Sequence, residues 1–190
     1  MNIQRKWDMP RRVKLTIADF LRLDDAGAFR DYAKTELIDG EIIAVNSQFT
    51  GHARFKTRMS HRLQDVLDSI MPSYLVLVEV AVAIPPQGMP EPDIVITNFQ
   101  ETGRVPVPVE TISLILEVSD TTQRFDLGKK ARLYAAAGVP EYWVADLQGR
   151  KLHQMWAPAG KDYTQRRELP LGGRVEAVTV AGLGVETLGI

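Results

Sequence analysis

Two acids and a lysine on three neighbouring elements are the residues of this chain best placed to do chemistry. Asp93 stands in Pro92-Asp93-Ile94-Val95-Ile96, and Glu117 in Leu114-Ile115-Leu116-Glu117-Val118-Ser119. Lys130 closes the stretch Asp126-Leu127-Gly128-Lys129-Lys130. Each acid sits at the edge of a strongly apolar strand pattern, where a charge is costly unless it has a partner or a metal. Two carboxylates with backbone or water oxygens make a hard, oxygen-rich site suited to Mg²⁺ or Mn²⁺. Such an ion polarises a phosphoryl oxygen and lowers the pKa of a bound water. A lysine ammonium beside it stabilises negative charge as it develops. If the strands bring the acids together, the expected chemistry is phosphodiester cleavage.

Other side chains carry a bland reading beside the chemical one. His52 is a candidate phosphate or water ligand, but a solvent-facing histidine at a helix start is the reading the pattern favours. Glu36 either joins the acids from a hairpin or is an ordinary strand-end charge. Arg54, Arg58 and Arg62 form a row that could meet backbone phosphates; such a row is more often a solvated face with packed stems. Tyr142 and Trp143 read as core, not as a base-stacking platform. The chain carries no phosphate-cradling glycine loop, nucleophile elbow or zinc-spaced histidine set.

The elements that must position these residues follow from pattern. Residues 1–14 are polar and basic, with Arg5, Lys6, Arg11, Arg12 and Lys14, and read as a flexible arm; residues 15–190 read as a single domain. Thr16-Ile17-Ala18-Asp19 has the form of a capping box that opens a short helix. Residues 36–45 read as a hairpin turning at Asp39-Gly40, a pair suited to a type I′ turn. A helix is expected over 51–70, with Phe55, Met59, Leu63, Val66, Leu67 and Ile70 as its stripe. Residues 74–84 read as one strand, 94–96 as a second, 98–110 as a loop and 112–118 as a central strand covered on both faces. Asp126 is the expected N-cap of a helix running to Ala137, with Gly138 and Pro140 as its stop. Residues 141–146 complete a βαβ unit, and 150–156 with 162–168 form a further hairpin. The tail over 174–190 has Val178, Val180, Leu183, Val185, Leu188 and Ile190, which suit either core or interface.

Antiparallel pairing would set the start of the Asp93 strand beside the end of the Glu117 strand, so both acids share one rim. The helix opening at Asp126 leaves from that rim, with Lys130 one turn in. A lysine there is at the unfavourable end of the helix dipole, which hints at another purpose. The unloaded acid pair should repel itself, raising the pKa of one member.

Composition bounds the rest. The 190 residues are 45% hydrophobic and 25% charged, as in an ordinary globular protein with a real core. With 23 basic and 24 acidic residues the formal net charge is -1, so any nucleic-acid footprint is a local patch. Cysteine is absent, which removes thiolate chemistry and fits a reducing cytoplasm. No stretch has signal-peptide or membrane-span length.

Taken in order, Glu36-Leu37-Ile38-Asp39-Gly40-Glu41, His52, Pro92-Asp93-Ile94-Val95, Leu116-Glu117-Val118-Ser119, Arg124 to Lys130, and Tyr134 to Asp146 give a resemblance. The chain resembles the Uma-two family of restriction-endonuclease-like proteins in the PD-(D/E)XK nuclease superfamily, over roughly residues 15–185. The resemblance implies an α/β fold with a restriction-endonuclease-like core, a mixed central β-sheet flanked by helices, and extra β-hairpins. It implies DNA as partner, Mg²⁺ or Mn²⁺ as cofactor, and Asp93 and Glu117 as the metal-binding acids. The superfamily pattern has a lysine two residues after the second acid, where this chain has Ser119. In this family that role is thought to move to the following helix, which points to Lys130. Nucleases of this architecture often act as homodimers, because cutting both strands takes two sites.

Three functions compete at this level. The first is a metal-dependent DNA endonuclease using Asp93, Glu117 and Lys130. The second is a catalytically inactive nuclease-fold module that binds nucleic acid or a protein partner, which the departure at Ser119 favours. The third is a metal-free acid/base hydrolase, which needs carboxyls roughly 5–9 Å apart and leaves Lys130 unexplained.

Overall fold

The computed structural model describes residues 12–46, 48–187 and 189, so most of the basic arm, Leu188 and Ile190 lie outside the described residues. Thr16 caps α1 (Ile17–Asp25): its hydroxyl accepts the Asp19 amide, and the Asp19 carboxylate accepts the Thr16 amide. Strands β1 (Lys34–Ile38) and β2 (Glu41–Val45) pair antiparallel. Between them Asp39 and Gly40 have φ of 51° and 73°, both in the left-handed region a type I′ turn demands. A Cβ at Gly40 would also strike Lys14 at 2.6 Å. Helix α2 (Thr50–Ile70) follows, and its stripe of Phe55, Met59, Leu63 and Leu67 is buried.

The chain continues through β3 (Leu75–Val78), β4 (Val82–Ala83), β5 (Ile94–Thr97), β6 (Val107–Pro108) and β7 (Ile112–Ser119). Helix α3 (Gln123–Phe125) runs through a π-helical turn, Asp126–Lys130, into α4 (Ala131–Ala136). Strands β8 (Glu141–Asp146), β9 (Lys151–Ala159) and β10 (Asp162–Pro170) come next, then a small hairpin of β11 (Arg174–Glu176) and β12 (Gly184–Glu186).

Six strands make the central mixed sheet, in the order β10-β9-β8-β7-β5-β3. The β7–β8 pair is parallel, joined by the helical crossover, and the other four pairs are antiparallel. Strand alternation gives the sheet two apolar faces. On one, Ile94, Ile96, Leu114, Leu116 and Trp143 meet the α2 stripe and Val180, Leu183 and Val185 of the tail. On the other, Val95, Ile115, Tyr142 and Val144 meet Ala131, Tyr134 and Ala135 of the crossover. Glu117, two residues after Ile115, takes the second face, under the helix that carries Lys130. The tail is core at Val180, Leu183 and Val185, while Val178 is exposed.

Three sequence expectations need correction. The strand expected over 74–84 is broken: β3 ends at Val78, and Glu79 adopts φ 51° with its amide donating to Asp93 O at 3.2 Å. The chain leaves the sheet there, and β4 pairs in parallel with β6, inside the stretch expected to be a loop. Asp126 is not an N-cap. The helix begins one turn earlier, after Thr122, and Asp126 lies inside it, buried. Its backbone oxygen accepts from the Tyr142 hydroxyl at 3.1 Å and also from the Ala131 amide, a five-residue closure. Single π-turns of this kind inside α-helices are rare and frequently stand at functional sites. Lys130 therefore stands two turns from the helix start, and the dipole argument about it lapses.

Glu141 fixes the tail to the sheet. It is fully buried and accepts from the Val178 and Thr179 amides at 2.8 and 2.7 Å, the Thr179 hydroxyl at 2.9 Å and Trp143 Nε1 at 2.6 Å. Glu141→Ala strands these donors, each unsatisfied one costing about 1–3 kcal/mol. Urea denaturation is expected to show a loss of about 3 kcal/mol or more; a loss under about 1 kcal/mol would mean that the tail is held by its other contacts and not by Glu141.

Candidate active site: a buried carboxylate–lysine cluster

The register of β5 and β7 decides where the two acids meet. Ile94 pairs with Leu116, and Val95 with Ile115, in antiparallel register. Continuing it by one residue sets Asp93 across from Glu117, on the second face of the sheet. Asp93 closes the end of the ladder with its side chain, Oδ2 accepting the Val118 amide at 2.8 Å. Both carboxylates are buried, at 6% and 4% exposure.

Lys130 reaches this rim from the π-turn. Its Nζ lies 2.9 Å from Glu117 Oε1 and 3.2 Å from Glu36 Oε2. Glu36, on β1, is itself buried. Glu36 Oε2 is within ion-pair distance of the lysine yet lacks a well-directed hydrogen bond. Lys130 donates instead to Glu36 Oε1 at 3.3 Å, and a full ammonium charge attracts Oε2 without strict alignment. Beside it, Lys129 donates to Glu41 Oε2 on β2 at 2.5 Å, so two consecutive lysines clamp the helix to the hairpin. Tyr134, four residues beyond Lys130 and on the same helical face, donates its hydroxyl to Glu117 Oε1 at 2.9 Å. Glu117 Oε2 takes part in none of these bonds.

Helix α2 and Gln48 just before it supply further partners of Asp93. His52 Nε2 lies 3.1 Å from Asp93 Oδ2, and Lys56 Nζ lies 3.5 Å from Oδ1. Gln48 donates to Oδ1 at 3.0 Å and accepts from Lys56 at 2.5 Å, and Lys56 also pairs with Glu79 at 2.6 Å. His52 is thus buried against an acid, not solvent-facing as the sequence suggested. Asp126 completes the surroundings, its Oδ2 accepting the Thr122 hydroxyl at 2.5 Å. Glu36, His52, Asp93, Glu117, Asp126 and Lys130 all line one cavity of about 340 Å³.

The remaining candidates lie elsewhere. Ser119 is fully buried, its hydroxyl 3.5 Å from that of Thr122, and it does not line the cavity. Arg54, Arg58 and Arg62 do not line it either. Arg58 donates to Gly189 O and Arg62 to Glu186 O, so both brace the tail. Sequence reading overlooked Lys56, Tyr134 and Asp126. Two of them carried a signal: Lys56 is four residues after His52, and Tyr134 four after Lys130, the spacing that stacks side chains on one helix face.

Charge in the cluster is unbalanced. Burial pushes the Glu117 carboxyl up to about 8; Lys130 pulls the other way, and Asp93, Asp126 and Glu36 push further upward. Burial opposes the charge on Lys130 too, but Glu117 and Glu36 outweigh it and raise its pKa. Burial alone would raise Asp93; the hydrogen bond and charge of His52, the Val118 amide and Lys56 hold it below its ordinary value. Asp126 is raised, chiefly by burial.

The residues fit a hard divalent cation. Glu36, Asp93, Glu117 and Asp126 are four carboxylates around one cavity, one oxygen of Glu117 is free of the bonds above, and His52 Nδ1 is buried without a partner. Among the described residues no three acids or histidines close tightly enough to enclose an ion by themselves.

Comparison with known proteins agrees with this architecture. A family model described as "Uma2: Putative restriction endonuclease" matches residues 17–187. A solved structure described as a putative nuclease belonging to DUF820, from Anabaena variabilis, superposes with a TM-score of 0.64 at 14% identity, covering 86% of this chain and 89% of that one. That likeness is one of fold. No curated protein matches the chain. No helix among the described residues is long and apolar enough to cross a membrane.

The raised Glu117 pKa has a signed consequence. Between its ordinary value of 4.5 and about 8 the folded protein keeps a proton that the unfolded chain has lost. The folded state therefore binds more protons in this window, and stability from this group falls as pH rises through it, by at most about 1.4 kcal/mol per unit. Glu117→Gln cannot ionise. Its stability relative to the wild type is expected to rise by about 2–4 kcal/mol from about pH 5 to about pH 8 in urea denaturation. A difference independent of pH contradicts the assignment.

Proposed function

We propose, on the premise that this chain belongs to the Uma2 family of restriction-endonuclease-like proteins, that it is a nuclease hydrolysing phosphodiester bonds in DNA with Mg²⁺ or Mn²⁺ held by Asp93 and Glu117. The observation that carries this reading is the buried contact between Lys130 Nζ and Glu117 Oε1 at 2.9 Å. It supplies, from a helix, the cation that Ser119 withholds from the strand.

A bound divalent ion would supply Lewis-acid polarisation of the phosphoryl group and a more acidic water. The chain's own residues do the rest. His52, the Val118 amide and Gln48 orient the Asp93 carboxylate. Tyr134 and Lys130 share one oxygen of Glu117 and leave the other open. Lys130 offers a full positive charge to the phosphoryl oxygens as negative charge grows on them, and Glu36 keeps the ammonium in place. The net reaction adds one water, hydroxyl to phosphorus and a proton to the leaving oxygen. A catalytically inactive nuclease-fold module that binds nucleic acid or a protein partner is the second reading, favoured by Ser119 at the position where the superfamily pattern has its lysine.

With Mn²⁺ and DNA offered both as plasmid and as single strand, cleavage of at least one form is expected from the wild type, with losses of about a hundredfold or more in Asp93→Asn, Glu117→Gln and Lys130→Ala. Nicking that survives Asp93→Asn or Glu117→Gln overturns the metal assignment. Retained DNA binding without cleavage under any metal supports the module, and activity that resists EDTA supports a metal-free hydrolase.

A further inference from the structure

The cavity that holds the acids also limits what can reach them. Asp93, Glu117, Lys130 and Glu36 are at most 6% exposed, so the reacting phosphate must enter the cavity to touch them. Its volume of about 340 Å³ is at the low end for ligand pockets, which run from about 300 to 1,000 Å³. That is room for one nucleotide. An unpaired nucleotide can enter such a space singly, whereas pairing and stacking hold a duplex nucleotide in place at a cost of a few kcal/mol.

The wall chemistry points the same way. Duplex binding rests on many basic contacts to phosphates. The lysines that line this cavity are Lys34 and Lys130, and both are already paired, Lys34 with Glu91 at 3.1 Å. The arginine row of α2 lies outside the cavity. Two phenyl rings do line it. Phe49, at the start of α2, is 76% exposed although apolar, and Phe125, at the end of α3, is half-buried. An exposed aromatic face lining the site is what an unpaired base stacks on, with little regard to sequence.

We propose that the substrate of this site is unpaired DNA, a single strand, flap or frayed end, whose base stacks on Phe49 and Phe125 while its phosphate reaches the carboxylate floor. The proposal rests on the nuclease reading for its reaction but not for its binding preference. Only one or two phosphates are engaged, and one copy of the chain suffices.

The test uses the full chain and one oligonucleotide sequence in three forms: single-stranded, blunt duplex, and duplex with a single-stranded flap. Binding is followed by fluorescence anisotropy with Ca²⁺, and cleavage with Mn²⁺. Single-stranded and flap DNA are expected to bind about tenfold or more tighter than the blunt duplex, with a salt slope of about −0.7 to −1.4 for one or two phosphates. Phe49→Ala should weaken single-strand binding by about tenfold, Phe49→Trp should restore it, and neither should alter Mn²⁺ affinity or the unfolding midpoint. Phe125→Leu keeps the volume, removes the ring, and should weaken binding likewise. Equal or tighter binding of the blunt duplex, or single-strand binding indifferent to both rings, overturns the proposal. Single-strand preference without cleavage of any substrate upholds it and overturns the nuclease reading instead.

Discussion

A lysine ammonium buried between two carboxylates is the constraint on which the rest of this structure depends. Lys130 lies within 3.2 Å of both Glu117 and Glu36, and all three are almost fully buried. Removing one partner from such a cluster leaves an uncompensated charge and destabilises by about 3–5 kcal/mol. The three residues come from β1, β7 and the π-turn, so the charge cluster joins the hairpin, the sheet and the crossover helix. The apolar faces of the sheet make that affordable. Phe55, Met59, Leu63 and Leu67 on one side, and Tyr134, Ala135 and Val139 on the other, bury enough surface to hold strained charge at the rim.

Why the cluster sits there follows from alternation. Along β7 the residues Leu114, Leu116 and Val118 face α2, so Ile115 and Glu117 must face the crossover. The β5–β7 register then puts Asp93 opposite Glu117, beside two further buried acids, Glu36 and Asp126. Four carboxylates face chiefly Lys130, Lys56 and His52. Burial first, and then this imbalance, raises the pKa of Glu117, and a divalent cation bound there would offset the excess negative charge.

Much of this was legible in the sequence because it depends on period and pairing. Asp39-Gly40 marked the hairpin, Thr16 and Asp19 the first helix, and the apolar run of β7 the centre of the sheet. The antiparallel pairing that unites the acids, and the helix that brings Lys130, followed from strand order. What failed depended on tertiary partners. The π-turn coincides with a Tyr142 hydroxyl donated to Asp126 O, and no local pattern announces that bond. His52 was read as solvent-facing because a helix start is usually exposed, but here the start docks on Asp93. Glu79 breaks an otherwise regular valine-rich strand through contacts with Asp93 and Lys56, distant in sequence.

The central claim is that Asp93 and Glu117 form one cation site. Titration of Mn²⁺ followed by electron paramagnetic resonance reads this without any substrate. The account predicts saturable binding at the wild-type site, released protons as Glu117 ionises, and loss of that binding in Asp93→Asn and in Glu117→Gln alike. Mn²⁺ bound equally by wild type and both variants, or by none of them, would contradict it.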